Sequence, residues 1–297
     1  MEGIHMAVDR LQDKIRKLKN PSVVELCLSP ADLPPYLLEE EGNAASAYLR
    51  FSKELLTGLK GIVPAVRVNF ASFALLGGDG FDALAAVLKF AKDQGFYVAL
   101  DAPEILSPKA AVMVADSIFG TDSKLFCDGL IIGGYPGSDI IKPFLGYCKT
   151  EKKDLFVVTR TANKSAPELQ DLLAGTRLVH VAAADHVNRY GSDTVGKSGY
   201  SGVGILAAAS AAESLRNLRG KYPKLFLLLD GYDYPNANAK NCSYAFDKFG
   251  HGAAAVAGTS ITCAWKQTES DGHDFVQLAV SAAERMKKNL TRYTTVL

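Results

Sequence analysis

The sequence has almost no excess of charge of either sign. Its 33 Lys and Arg against 32 Asp and Glu leave a net +1, which excludes the broad attraction to nucleic acid or anionic membrane that a strong basic excess provides. No apolar run approaches the roughly 20 residues needed to span a bilayer, so no membrane partner is expected. The first residues, MEGIHMAVDRLQDKIRKLKN, carry charges throughout and read as an amphipathic helix without the apolar core of a signal peptide. Cysteine is sparse. Cys27, Cys127, Cys148, Cys242 and Cys263 are scattered with no C-x-x-C pair, and an odd, dispersed set argues for reduced thiols and a cytoplasmic location. The five histidines lie at no metal-ligand spacing; His180 and His186 fall on different faces of a helix, so no metal is expected.

What is present is an alternation of short apolar runs with longer helical patterns. Strands are predicted at Val23–Leu28, Ile62–Val68, Tyr97–Asp101, Gly129–Ile132, Leu155–Thr159, Gly204–Ala207, Leu225–Leu229 and Ala253–Ala257. They lack strict polar–apolar alternation, as strands of a parallel sheet buried on both faces do. Helical stretches include Ala44–Leu59, Phe81–Lys92, Ser138–Cys148 and Ala211–Leu218. With no linker, repeat or low-complexity tract, residues 1–297 are expected to form a single (βα)8 barrel with an N-terminal helix, a doubly wound sheet being the competing arrangement. A barrel binds ligands where its strands end, at the C-terminal face. Those positions are Ser29, Arg67, Asp101, Gly133, Thr161, Asp230 and Thr259 with their neighbours.

One stretch, Gly191-Ser-Asp-Thr-Val-Gly196-Lys197-Ser198, fits the phosphate-loop pattern G-x-x-x-x-G-K-[ST]. A phosphate loop needs a buried strand before it and a helix after it, so that backbone N–H groups converge on the phosphates. Here a helical pattern precedes and a strand follows, so a simple turn is expected. The glycines of Gly202-Val-Gly204-Ile-Leu-Ala207 similarly precede a strand, where a dinucleotide fingerprint would have them follow one.

Several segments together resemble the longer, bacterial group of orotidine 5'-phosphate decarboxylases. They are Ile62-Val-Pro-Ala-Val-Arg67-Val-Asn-Phe-Ala, Tyr135 to Leu145 (YPGSDIIKPFL), Phe156 to Leu172 (FVVTRTANKSAPELQDL), Val187 to Gly204 (VNRYGSDTVGKSGYSGVG), Phe246 to Ala253 and Ser260-Ile261. The likeness covers roughly residues 8–292. It implies a (βα)8 barrel, usually a homodimer with active sites at the subunit interface, that removes CO2 from a pyrimidine nucleotide without metal or organic cofactor. The family's chemistry rests on an alternating Lys-Asp-Lys-Asp array. A D-x-K-x-x-D motif after the third strand supplies the proton-donating Lys and an Asp that reaches into the neighbouring subunit.

The corresponding run here is Asp101-Ala-Pro103-Glu104-Ile105-Leu106. By this resemblance proline stands at the lysine position and leucine at the second aspartate, while Arg67 stands for the first lysine of the array. Arginine keeps the charge but holds its proton too tightly for easy acid–base work. Ser29 replaces a ribose-contacting Asp, Gly133 an Asn, and Ala162 the Ser that reads the pyrimidine edge. Pro235, Asn236 and Ala237 occupy the place of a glycine-rich loop with a Gln, and Thr259 replaces a phosphate-gripping Arg, with Asp233 in the same region to repel an anion. The substitutions gather where the ligand would lie. The expectation is a barrel that has lost orotidylate decarboxylation and acts as a binding or assembly paralogue, a homodimer with at most weak catalytic contributions from Asp101 and Arg67. The alternatives are a diverged enzyme on another small anionic or nucleotide-like ligand, or an active decarboxylase with rearranged residues.

Overall fold

The computed structural model describes residues 5–102 and 104–297. Eight parallel strands close into a barrel: β1 (Ser22–Leu26), β2 (Ala65–Asn69), β3 (Tyr97–Asp101), β4 (Gly129–Gly133), β5 (Asp154–Val158), β6 (Ser201–Ala208), β7 (Leu225–Asp230) and β8 (Ala253–Ala257). Each strand pairs with its sequence neighbours, and β8 closes on β1 through Val24↔Ala257. The doubly wound alternative is thereby excluded. The principal helices are α1 (Ala7–Leu18), α2 (Ala44–Leu59), α3 (Gly77–Asp93), α4 (Pro108–Phe119), α5 (Ser138–Thr150), α6 (Val179–Tyr190), α7 (Ala212–Lys221), α8 (Ala239–Ser243) and α9 (Phe275–Thr291). Among the described residues, no helix is long and apolar enough to cross a membrane.

All eight expected strands form, with boundaries moved by a few residues. The second begins at Ala65 rather than Ile62, because Pro64 has no N–H to give to a ladder. Helix starts follow capping chemistry: the Asn43 carboxamide accepts the Ser46 amide ahead of α2, and the Ser107 hydroxyl accepts the Ala110 amide ahead of α4, with Pro108 in the first turn. After β7 the helix is a single turn, so that unit of the barrel is abbreviated.

The period-2 alternation of each strand separates two cores. Outward residues such as Val24, Val66, Val98 and Leu130 pack beneath Leu55, Leu84 and Phe144 of the helical ring. Inward residues Val23, Ala65, Ala99, Ile131, Phe156, Phe226, Leu228 and Val256 fill the barrel, and Met6, Val8, Leu11 and Ile15 plug its lower end. Each large side chain so buried contributes roughly 1.5–3 kcal/mol. The upper interior layer is different. There the inward positions are Glu25, Arg67, Asp101 and Asp230.

Candidate functional site at the barrel mouth

Strand register brings this polar layer together. Glu25 of β1 stands directly across from Arg67 of β2, and Asn69 across from Asp101 of β3. Arg67 is only 8% exposed. Its Nη2 lies 2.8 Å from Asp101 Oδ2 and its Nε 3.4 Å from Glu25 Oε1, while Nη1 donates to Asp230 at the end of β7. Asn69 Nδ2 adds a bond of 3.0 Å to Asp101 Oδ2. Three carboxylates thus surround one guanidinium.

The electrostatics follow from that imbalance. Burial works against the Arg67 charge, but Asp101, Glu25 and Asp230 overcome it and hold the guanidinium above its ordinary range. With the single cation shared, the carboxylates suffer. Burial pushes Glu25 up to about 7, opposed by Arg67 and reinforced by repulsion from Asp101, Asp230 and Asp233. Burial likewise raises Asp101, against the pull of Arg67. A proton on Glu25 near neutral pH relieves the excess negative charge.

Arg67 divides the mouth into two lobes. One, of about 410 Å³, is lined by Glu25, Cys27, Asp230, Asp233, Tyr234 and Thr259. The other, of about 390 Å³, is lined by Asn69, Phe70, Asp101, Glu104, Gly133 and Val158. Among the described residues, no lysine lines either lobe.

(βα)8 barrels commonly grip phosphate with the loops after the seventh and eighth strands and the amides of a short extra helix. That helix is Thr259–Thr262, and a carboxylate of the chain itself already occupies its start. Asp233 Oδ2 accepts the Gly258 amide at 2.7 Å and the Ser260 amide at 3.2 Å, and its other oxygen accepts the Ser260 hydroxyl.

The remaining expected positions are less concentrated. Ser29 lines neither lobe; its amide and hydroxyl both donate to Asp32, at 2.9 and 2.7 Å. Thr161 donates its amide to Gln170 Oε1 at 2.8 Å, beside an Arg160–Asp171 pair that closes the same loop. Ala162 packs against the turn at Gly231, where an added Cβ would lie 2.4 Å from the Ala162 Cβ. Pro235 is exposed outside the lobes. Leu106 points to solvent, 74% exposed. Pro103 lies outside the described residues. Sequence reasoning missed Glu25, Cys27 and Asn69. The signal for Glu25 was available: it is the lone charge in the apolar run SVVELCL.

The phosphate-loop match sits at the other end of the molecule, after α6 and before β6. There Asp9 of α1 accepts the Lys197 amide at 3.1 Å and the Ser198 amide at 2.8 Å, along with the Ser198 hydroxyl. A Cβ on Gly196 would lie 2.4 Å from the Asp9 carboxylate, so glycine permits the approach. Burial works to raise Asp9, but the bonds from Ser198, Met6 and Lys197 outweigh it and keep the group ionised below the ordinary range. The loop pins α1 under the barrel. Among the described residues, no group of three or more His, Cys, Asp or Glu side chains stands as a metal site.

No family model matches the chain. It is 25% identical over 297 residues to the orotidine 5'-phosphate decarboxylase of Caldicellulosiruptor saccharolyticus, covering 95% of this chain and 97% of that one. It is 28% identical over 269 residues to the protein of the same name from Clostridium kluyveri, covering 90% of each. Among solved structures, the orotidine 5'-monophosphate decarboxylase of Plasmodium berghei superposes with a TM-score of 0.76 at 14% identity, over 96% of this chain and 98% of that one, and so shares its fold.

Proposed function

We propose that this orotidine 5'-phosphate decarboxylase-like barrel does not decarboxylate orotidylate and serves as a non-catalytic binding or assembly subunit. The observation that carries the reading is the Asp233 carboxylate on the amides of Gly258 and Ser260. A phosphate dianion brought there would meet a fixed negative charge and find its donors already used. The state of Arg67 supports the same reading. Three carboxylates consume its donors, so it is neutralised before any ligand arrives.

Decarboxylation without a cofactor leaves a carbanion that needs both a nearby cation and a proton. Proline at 103 can supply neither. Lys109, the lysine nearest in sequence, sits exposed in the first turn of α4. The excess of carboxylate in both lobes also weighs against the small anionic ligand suggested by family resemblance.

The reading extends to a cytoplasmic homodimer. Its support is the set of five unpaired thiols and the exposed apolar side chains Leu75, Phe81, Leu106 and Met113 on the segments after β2 and β3. A second reading, a diverged enzyme, is favoured by Glu25 alone: a buried carboxyl near 7 at a cavity wall is poised for general acid–base work.

Calorimetric titration with uridine monophosphate and orotidylate, with CO2 release assayed on the same sample, tests the proposal. Neither turnover nor binding at the mouth is expected, binding there being heat that Thr259→Tyr abolishes. Turnover would overturn it, and micromolar binding lost in Thr259→Tyr would retain the non-catalytic reading while removing the argument from Asp233.

A further inference from the structure

A cavity of about 770 Å³, larger than either lobe of the mouth, opens on the outer surface at the opposite end of the barrel. It lies between the C-terminal turn of α3, the segment entering β4 and the segment entering β5, and Lys89, Lys92, Lys124 and Lys153 line it. Lys89 is paired with Asp93 one turn on. Among the described residues, the other three lysines have no carboxylate partner within ion-pairing distance, and Glu151 is the remaining acid in the wall. The local balance is therefore positive in a chain whose overall charge is nearly zero.

The ammonium groups are also held in place. Lys92 Nζ lies 3.9 Å from the centre of the Phe126 ring and Lys153 Nζ 4.6 Å from the same centre. Lys153 Nζ donates to the Cys127 carbonyl at 2.7 Å, which fixes its position. One ring thus gathers two like charges with no counter-charge beside them. Contact with the ring offsets part of their repulsion, and an anion bridging them would remove the rest. The donors are lysines, compact point charges of the kind that bind phosphate, and two of them held at one ring match an anion that carries more than one negative charge. A volume of this size fits a small molecule. Asp93 and Glu151 also line the groove, and their charges disfavour an extended polyanion running along it.

We propose that this groove binds a small phosphorylated anion carrying two or more negative charges. It shares no residue with the mouth, and the site does not depend on what the mouth binds.

The test is calorimetric titration of the full chain with inorganic pyrophosphate at low ionic strength. One site per chain is expected, with affinity falling at least tenfold in Lys92→Glu and in Lys124→Glu. Both residues are exposed, and circular dichroism confirms that each variant is folded. Thr259→Tyr, which fills part of the mouth, should leave the affinity unchanged. The absence of saturable heat, wild-type affinity in both lysine variants, or loss of binding in Thr259→Tyr would each overturn the site. Tighter binding of a single-stranded oligonucleotide than of pyrophosphate, abolished by the same two substitutions, would overturn the assignment of a compact ligand.

Discussion

Glu25 and Arg67 face each other across the β1–β2 register, 3.4 Å apart, in a layer that holds three carboxylates and one guanidinium. The pairing is lopsided, and its consequences can be measured. Because burial lifts Glu25 to about 7 in the folded chain from an ordinary value of 4.5, the folded state binds an extra proton between those two values. Stability contributed by this group is therefore full at the acid end of that window and falls as pH rises through it. Glu25→Gln should remove that slope and stabilise the protein at pH 8 relative to wild type, by roughly 3 kcal/mol at most. Urea unfolding of both proteins at pH 5 and pH 8 checks this; a difference that does not change with pH would contradict it.

Arg67 is the only cation among these four side chains. Removing one partner of a buried ion pair strands the others, at roughly 3–5 kcal/mol. Arg67→Ala should therefore be strongly destabilising, and Arg67→Lys less so, since it keeps the charge but loses the forked geometry. Thermal melts order the three proteins. If Arg67→Ala melts with the wild type, the cluster is solvated rather than interlocked.

Asp233 behaves as a cap for the short helix at Thr259–Thr262. Loss of such a cap typically lowers stability by about 0.5–2 kcal/mol. Asp233→Ala should show a loss in that range by chemical denaturation, and Asp233→Asn, which keeps one acceptor oxygen, a smaller one. Hydrogen exchange at Gly258 and Ser260 should accelerate in Asp233→Ala; unchanged protection would mean that these amides do not rely on the carboxylate.

Leu106 leaves most of its side chain in water in the single chain. Burying it against a second copy would contribute roughly 1.5–3 kcal/mol, whereas an aspartate there would carry an unpaired charge into the contact. Leu106→Asp should therefore shift the sedimentation equilibrium from dimer toward monomer at least tenfold. A dimer that is unchanged or tighter in the variant would remove Leu106 from the interface.

Much of the architecture was legible in the chain. Apolar runs of strand length between helical periods are what a two-sided parallel sheet requires, and the ends of β3 and β8 could be read directly. Arg67, Asp101 and Asp230 could be assigned to the mouth because a barrel strand ends there. Glu25 was harder to find. It lies one turn of the pleat below the strand end, and a charge inside an apolar run acquires meaning only when a partner strand sets Arg67 opposite it.

The sequence by itself determined the order of elements, the place of each strand to within a few residues and the chemical identity of each mouth position, because periodicity and residue type are local properties. The tertiary structure alone decided what those residues do to one another. Asp233 and Ser260, or Asp9 and Ser198, are distant in the chain, and nothing local says that a carboxylate will take amides that could have held a phosphate. Closure of the barrel also put three acids on one arginine, and Coulomb energies depend on separation in space rather than in sequence.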